Sequence, residues 1–382
     1  MSINMCRAAS RWLGILAVAA ATSLQAQVPE LVAAGSFPES FGYLSNVREL
    51  ADGRVMVADP LGQILVVADL QAGTADPVGR VGGGPEEYRQ PDAAFALPGD
   101  STLLVDLGNA RLTVVDPAFN FGETYSATQG GGQAMVLVLP RFVDAEGNPY
   151  FLQQSFGPRG MPDSATVMRF DRASGESEAI ARVKLPEIEE SGGGGARMIR
   201  MRPLSPRDDW AVAQDGRVAV VSAADYSVTW IHPDGHEMTG PANDYRPVRV
   251  GEAERELWSG AMMRSGLSVG MQMSGAGERS VSLTRGGGGG PRSPFDSADW
   301  PDVAPAFRYG GAVVAPNGDL WVERYVPSGD DPLYDVFDEQ GQKRGELRLP
   351  AGRQVVGFGN GTVYLARIDQ DDLQWLERYR LQ

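Results

Sequence analysis

Six glycine-containing turns, recurring between apolar β-rich runs, constrain this sequence more than any other feature. They are Asp52-Gly53, Gly99-Asp100, Glu146-Gly147, Asp215-Gly216, Asn317-Gly318 and Asn360-Gly361, at intervals of 47, 47, 69, 102 and 43 residues. Gly and Asx residues supply the positive φ that a tight hairpin demands. The flanking runs, 46–59, 93–106, 141–152, 210–222, 311–323 and 354–366, carry the period of strands. A third strand follows each unit, at 64–67, 112–115, 166–170, 228–231, 334–337 and 373–379. Second turns such as Asp234-Gly235 and Gln340-Gly341 lead into a fourth.

Four strands in roughly 40–50 residues make one propeller blade. The sequence therefore predicts an all-β, six-bladed β-propeller over 27–382, with inserts near 186–209 and 246–305 enlarging the long intervals. The last unit stops after three strands, whereas the segment 31–37 precedes the first unit without a partner. An N-terminal strand closing the last blade resolves both oddities and leaves no open blade edge at the seam.

Residues 1–26 read as a secretory signal peptide. Arg7 and Arg11 form a basic start, 13–21 an apolar stretch, and Leu24-Gln25-Ala26 a cleavage site. A periplasmic or secreted destination is expected. The single cysteine, Cys6, lies before the apolar stretch and leaves with it, so no disulfide, thiol nucleophile or thiolate metal site is expected afterwards. No later run approaches the ~20 apolar residues of a membrane-spanning helix. A net charge of −15 argues against a nucleic acid or an anionic membrane as partner. Lys184 and Lys343 are the only lysines, so the positive charge is almost all arginine.

The stretch Val78-Gly79-Arg80-Val81-Gly82-Gly83-Gly84-Pro85-Glu86-Glu87-Tyr88-Arg89-Gln90-Pro91, followed by Leu104-Val105-Asp106 and Asn109-Ala110-Arg111-Leu112, resembles an NHL-type repeat. The later units are similar to bacterial six-bladed propellers of that broad group. The resemblance implies the fold. The group includes scaffolds, sensors and a few enzymes, so it hardly constrains function.

Strands alternate direction in a blade, so the tight glycine turns share one face of the ring and the long connections share the other. Inserts gathered on one face mark a binding face. At the second-strand ends on that face stand Asp59, Asp106, Gln153, Asp225, Glu323, Arg324 and Arg367, the candidate ligand-binding residues. Asp59, Asp106 and Glu323 are the candidate ligands for calcium, since hard cations take several oxygen donors, as in gluconolactonase-like propellers. The blander reading of Asp59 and Asp106 is that each carboxylate bonds the backbone of its turn.

Other motifs weigh against familiar chemistries. His232 and His236 flank a tight turn, and without a third histidine or a cysteine they cannot build a catalytic zinc site. Gly266-Leu267-Ser268-Val269-Gly270 matches a nucleophile elbow, but both histidines precede Ser268. The glycine runs 192–195 and 286–290 lack the Lys-Ser/Thr of a phosphate loop. Residues 251–258 are expected to begin a short helix, either capping the channel or packing as core. The basic run Arg197, Arg200, Arg202 and Arg207 either recognises a carboxylate or pairs with local acids.

The leading expectation is a binding module that engages a protein, peptide or glycan partner with its long-loop face. A divalent-cation-dependent hydrolase or lactonase at the channel mouth is the first alternative. A structural, envelope-associated propeller is the second.

Overall fold

A computed structural model describes residues 28–129, 136–153, 162–191, 198–273, 279–285, 295 and 298–382. It shows a six-bladed β-propeller of four-stranded antiparallel blades. From the channel outward, blade 1 comprises Val47–Glu49, Val55–Asp59, Ile64–Asp69 and Thr74–Pro77. Blade 2 comprises Pro91–Ala96, Thr102–Asp106, Arg111–Val115 and Phe121–Ser126. Blade 3 comprises Phe142–Val143, Pro149–Gln153, Ser164–Phe170 and Ser177–Lys184. Blade 4 comprises Asp209–Val212, Val218–Val221, Val228–Ile231 and Glu237–Thr239. Blade 5 comprises Phe307–Val314, Leu320–Arg324, Leu333–Phe337 and Lys343–Arg348.

Blade 6 is built from both ends of the chain. Arg353–Gly359, Thr362–Ile368 and Gln374–Leu381 are completed on the outside by Leu31–Phe41. Leu31 pairs with Leu381 and Phe41 with Gln374, the closure that the unpaired N-terminal segment predicts. In each of the six expected tight turns the glycine has positive φ, between 68° and 88°.

The core is a ring of six seams. Each of six apolar clusters joins one blade to the next: Leu50 and Met56 to Leu104, Leu103 to Phe151, Tyr150 to Trp210, Trp230 to Phe307, Trp321 to Val363, and Phe37 to Val55. Large residues recur at these seams because flat blades fanned around an axis leave wedge-shaped gaps, and protein interiors tolerate few voids. Trp210, Trp230, Trp321, Tyr150, Tyr226, Tyr334 and Tyr364 are all fully buried there.

The long connections gather on one face, as the interval lengths predict. Two-stranded ribbons occur after blade 2 (Thr128–Gln129 with Val136–Leu137), after blade 3 (Ile188–Ser191 with Met198–Met201) and after blade 4 (Leu267–Met273 with Arg279–Arg285). The last connection also holds helix α1, Glu252–Ser265. Trp258 of this helix joins Leu204, Val248 and Ala304 in a seventh apolar cluster. Among the described residues, no helix is long and apolar enough to cross a membrane. The expected signal peptide lies outside the described residues.

Candidate anion site at the channel mouth

The innermost strand of blade 5 is irregular, and the irregularity makes the site. Phe307 pairs with Arg324 but the next pair is Ala312 with Val322, so extra residues bulge from the strand toward the axis. Such bulges re-aim side chains by bending one strand away from its partner. Here Gly310 takes φ 87°, and Arg308, Tyr309, Gly310 and Gly311 all line the channel mouth. A Cβ on Gly311 would come 2.5 Å from the Cβ of Glu323, so only glycine lets that glutamate lie beneath the bulge.

Asp209, fully buried at the start of blade 4, pins the bulge. One carboxylate oxygen accepts the N–H groups of Gly310 (3.0 Å) and Ala312 (2.9 Å). The other accepts a hydrogen bond from Arg141 at 2.5 Å. The Arg141 guanidinium lies 5.0–5.4 Å from the ring centres of Phe142, Trp210 and Tyr309. One buried carboxylate thus fixes both a backbone excursion and a channel arginine.

The result is a chamber of about 460 Å³ on the long-loop face, within the usual size of small-ligand sites. Helix α1 contributes Trp258, Ala261, Met262 and Arg264 to its wall. Among the described residues five arginines line it, Arg141, Arg207, Arg264, Arg285 and Arg308, against a single carboxylate, Glu323. Tyr43, Tyr309, Tyr325 and Tyr334 complete the polar lining. This is the reverse of the chain's net charge of −15.

Four of the arginines are matched. Arg141 pairs with Asp209, Arg264 with Asp372 (2.6 Å), Arg285 with Asp92, and Arg308 with Glu323 (3.2 Å). Arg207 is different. Its guanidinium stacks on Tyr309, 3.5 Å from the ring centre, and its hydrogen bond goes to the Met201 sulfur at 3.7 Å. Among the described residues no carboxylate lies within ion-pair distance of it. Burial pushes Arg207 below the ordinary arginine value, with Tyr309 and Asp209 opposing the shift. An arginine nevertheless stays charged at any ordinary pH.

Glu323 is the one acid among the described residues of the wall. Burial raises its pKa above the ordinary glutamate value, while Arg308 and a 3.4 Å hydrogen bond from the Tyr334 hydroxyl pull it back. Burial likewise raises Tyr325 and Tyr334, so both phenols are held as neutral donors. The chamber therefore offers guanidinium and phenol donors, a hydrogen-bonding set for anions.

No protein-family profile and no curated protein matches the chain. Solved structures similar to it include a member of the DUF4221 family from Bacteroides vulgatus, at 10% identity and a TM-score of 0.45, covering 93% of this chain and 99% of that one. A putative exported protein from Bacteroides fragilis has 10% identity and a TM-score of 0.46, with 93% and 95% covered. A gluconolactonase from Xanthomonas campestris has 12% identity and a TM-score of 0.40, again with 93% and 95% covered. Nothing about ligand or activity passes to this chain at that distance.

Of the seven candidate residues, Glu323 lines the chamber. Its neighbour Arg324 points the other way along the alternating strand, buried against Asp335 (2.9 Å) and the Ala306 carbonyl (3.1 Å). Asp59 accepts four backbone N–H groups, from Gly42, Tyr43, Leu61 and Gly62, at 2.6–3.1 Å. Asp106 repeats this one blade on, accepting Arg89 and Gln90 N–H at 3.0 Å and the Asn109 side chain at 2.6 Å. Both tie a blade-to-blade connection to a neighbouring turn. Asp225 bonds Ser227 in its own turn, and Arg367 pairs with Glu377 at 3.1 Å. Gln153 ends its strand opposite Thr166, away from the chamber wall.

The calcium candidates Asp59, Asp106 and Glu323 stand in three different blades. Among the described residues no three His, Cys, Asp or Glu side chains are grouped to hold a metal. Ser268 lies in a ribbon strand that follows helix α1, the opposite order to a nucleophile elbow. Of the basic run, Arg202 pairs with Glu187 (3.0 Å) and Asp299 (2.9 Å), Arg207 enters the chamber, and Arg197 lies outside the described residues. Arg141, Arg264, Arg285, Arg308 and the tyrosines escaped sequence reasoning. The available signal was a concentration of arginine in the long connections of an acidic chain.

Proposed function

We propose that this chain is an exported binding propeller of the NHL-like kind, and that its channel-mouth chamber captures an anionic ligand. The observation that carries the reading is Arg207, mostly buried, stacked on Tyr309 and without a carboxylate partner among the described residues. Holding an unmatched cation away from water costs stability and is repaid when a bound anion supplies the missing charge. A carboxylate, sulfate or phosphate on a peptide, glycan or small molecule has the required chemistry.

The cation-dependent lactonase draws less support, because Asp59 is already engaged by backbone N–H groups, Asp106 by backbone N–H groups and the Asn109 amide, and the chamber wall is cationic. A calcium-dependent rise in unfolding temperature, reversed by EDTA, would restore it. A purely structural propeller predicts no saturable ligand at all.

The test of the anionic reading is calorimetric titration with sulfate, phosphate and citrate at low ionic strength. Saturable binding of at least one is expected, weakened tenfold or more by Arg207→Ala, which removes a charge-assisted contact of roughly 1.5–3 kcal/mol. Binding unchanged in both Arg207→Ala and Arg308→Ala would overturn it.

A further inference from the structure

Below the arginine chamber, toward the tight-turn face, the channel continues into a second cavity of about 440 Å³. The two adjoin along the axis and share Ser45, Arg141, Gly310, Val313 and Val355 in their walls. Their chemistry is opposite. The lower wall is built mainly from innermost strands and is dominated by apolar side chains such as Phe95, Phe142, Val143, Val313, Val314 and Phe358. All six of these are only partly buried, their remaining exposure consistent with facing the lumen. The charged groups on the lower wall apart from Arg141 are Arg48 and Glu49, and both are engaged: Arg48 with Asp100, Glu49 with Asn360, Thr362 and Tyr364.

An apolar tube that opens into a cationic chamber has the polarity of one ligand class. Resting on the anionic reading above, we propose that the ligand is an acidic amphiphile, its anionic head among the chamber arginines and its alkyl tail running down the axis past Arg141. The charge pattern sets the orientation. Arg207 lines the upper chamber and not the lower cavity, while the lower wall rewards apolar surface removed from water. Arg141 marks the boundary, its charge matched by Asp209 and its guanidinium flanked by aromatic rings, so the passage beside it presents ring faces and not a bare cation.

The experiment is a calorimetric series of straight-chain carboxylates from butyrate to dodecanoate, each below its micelle concentration, against the whole exported chain. Affinity is expected to rise by about fourfold per methylene, the factor that corresponds to burying one CH₂, until the lower cavity is filled. Ala96 lines the lower cavity and not the upper chamber, and it is exposed, so Ala96→Phe adds bulk at that wall without entering the core. That variant is expected to flatten the series while leaving butyrate and sulfate binding as in the wild type, which also certifies its fold. Affinity independent of chain length, with butyrate and sulfate still bound, overturns the amphiphile and leaves the anion site standing. A chain-length series that Ala96→Phe does not alter places the tail elsewhere and overturns it too. Failure of every carboxylate together with sulfate, phosphate and citrate removes the underlying anionic reading itself.

Discussion

At the scale of single residues, Arg207 separates a binding site from a structural brace. An arginine kept for stability gives up stability when replaced, whereas one kept for a ligand gives up binding and often gains stability. Arg207→Met keeps an unbranched apolar stem against Tyr309 and removes the unmatched charge. It should therefore raise stability by about 1 kcal/mol, in line with replacing poorly compensated buried charge by apolar groups, while weakening sulfate binding. Thermal unfolding with and without sulfate checks both halves; a lower midpoint without ligand would make Arg207 a brace. Glu323 gives a pH signature. Its folded pKa is raised by burial, so the folded chain holds a proton that the unfolded chain releases above the ordinary glutamate range. Stability contributed at this position is present below that range and lost as pH climbs through the raised value. The groups facing it are Arg308, Tyr334 and Asp209. Anion affinity should fall over the same window as a carboxylate appears in the wall, and Glu323→Gln should abolish that fall. Glu323 was legible because strand alternation places a second-strand end at the channel mouth. The arginines were not, because nothing in sequence distinguishes an arginine that finds acidic partners, such as Arg202 with Glu187 and Asp299, from Arg207 five residues later.

Among the elements, the strands and tight turns were legible because their signals are local: period two, then a glycine with positive φ. The blade 5 bulge was not, since Arg308-Tyr309-Gly310-Gly311 reads as a loop or a strand start and becomes a site only through Asp209 of another blade. A short helix beginning within 251–258 was expected, and α1 begins there, with Glu254 of its first turn accepting the N–H groups of Gly251 (3.0 Å) and Ser328 (3.1 Å). Its position over the chamber follows from contacts that no local pattern encodes. Trp258 packs edge-on against Phe295 and Trp300, and Arg264 reaches Asp372 on blade 6. The last contact is exposed on the aspartate side, and an exposed pair contributes roughly 0–1 kcal/mol. Asp372→Asn should thus leave the melting temperature nearly unchanged yet loosen the C-terminal turn of α1. Faster amide exchange confined to α1, with quicker sulfate release, is the expected outcome. Unchanged exchange would mean that the Trp258 cluster alone holds the helix over the chamber.

For the whole molecule, the ring itself was readable from six turns and an odd number of strands at one end, because closure is a counting argument. What counting does not give is the mechanical consequence. The first and last blades meet through one cluster in which Phe37 and Phe41, from the N-terminal strand, stack at 5.7 Å and pack on Val47, Val55 and Val57. Every other seam joins blades that are consecutive in sequence, whereas this one joins the first blade to the last, and the N-terminal strand that supplies Phe37 and Phe41 is held in blade 6 by pairings such as Phe41 with Gln374. No cysteine remains after Cys6 to tie it covalently. Phe41 is 3% exposed, and truncating a buried phenylalanine costs about 3–5 kcal/mol. If the seam holds the ring shut, Phe41→Ala should lower the denaturant midpoint for all blades together, because an opened ring exposes an apolar face at both ends. Trp210 and Trp230 lie in seams between remote blades, and they report on those blades alone once Trp321, which packs on blade 6, and Trp375, which belongs to it, are replaced by Phe. Tryptophan fluorescence and far-ultraviolet circular dichroism should then shift to the same lower midpoint in guanidinium. Fluorescence that holds its wild-type midpoint while the dichroism loses a minor early phase would show blade 6 peeling away alone, and the ring would owe its stability to the other five seams.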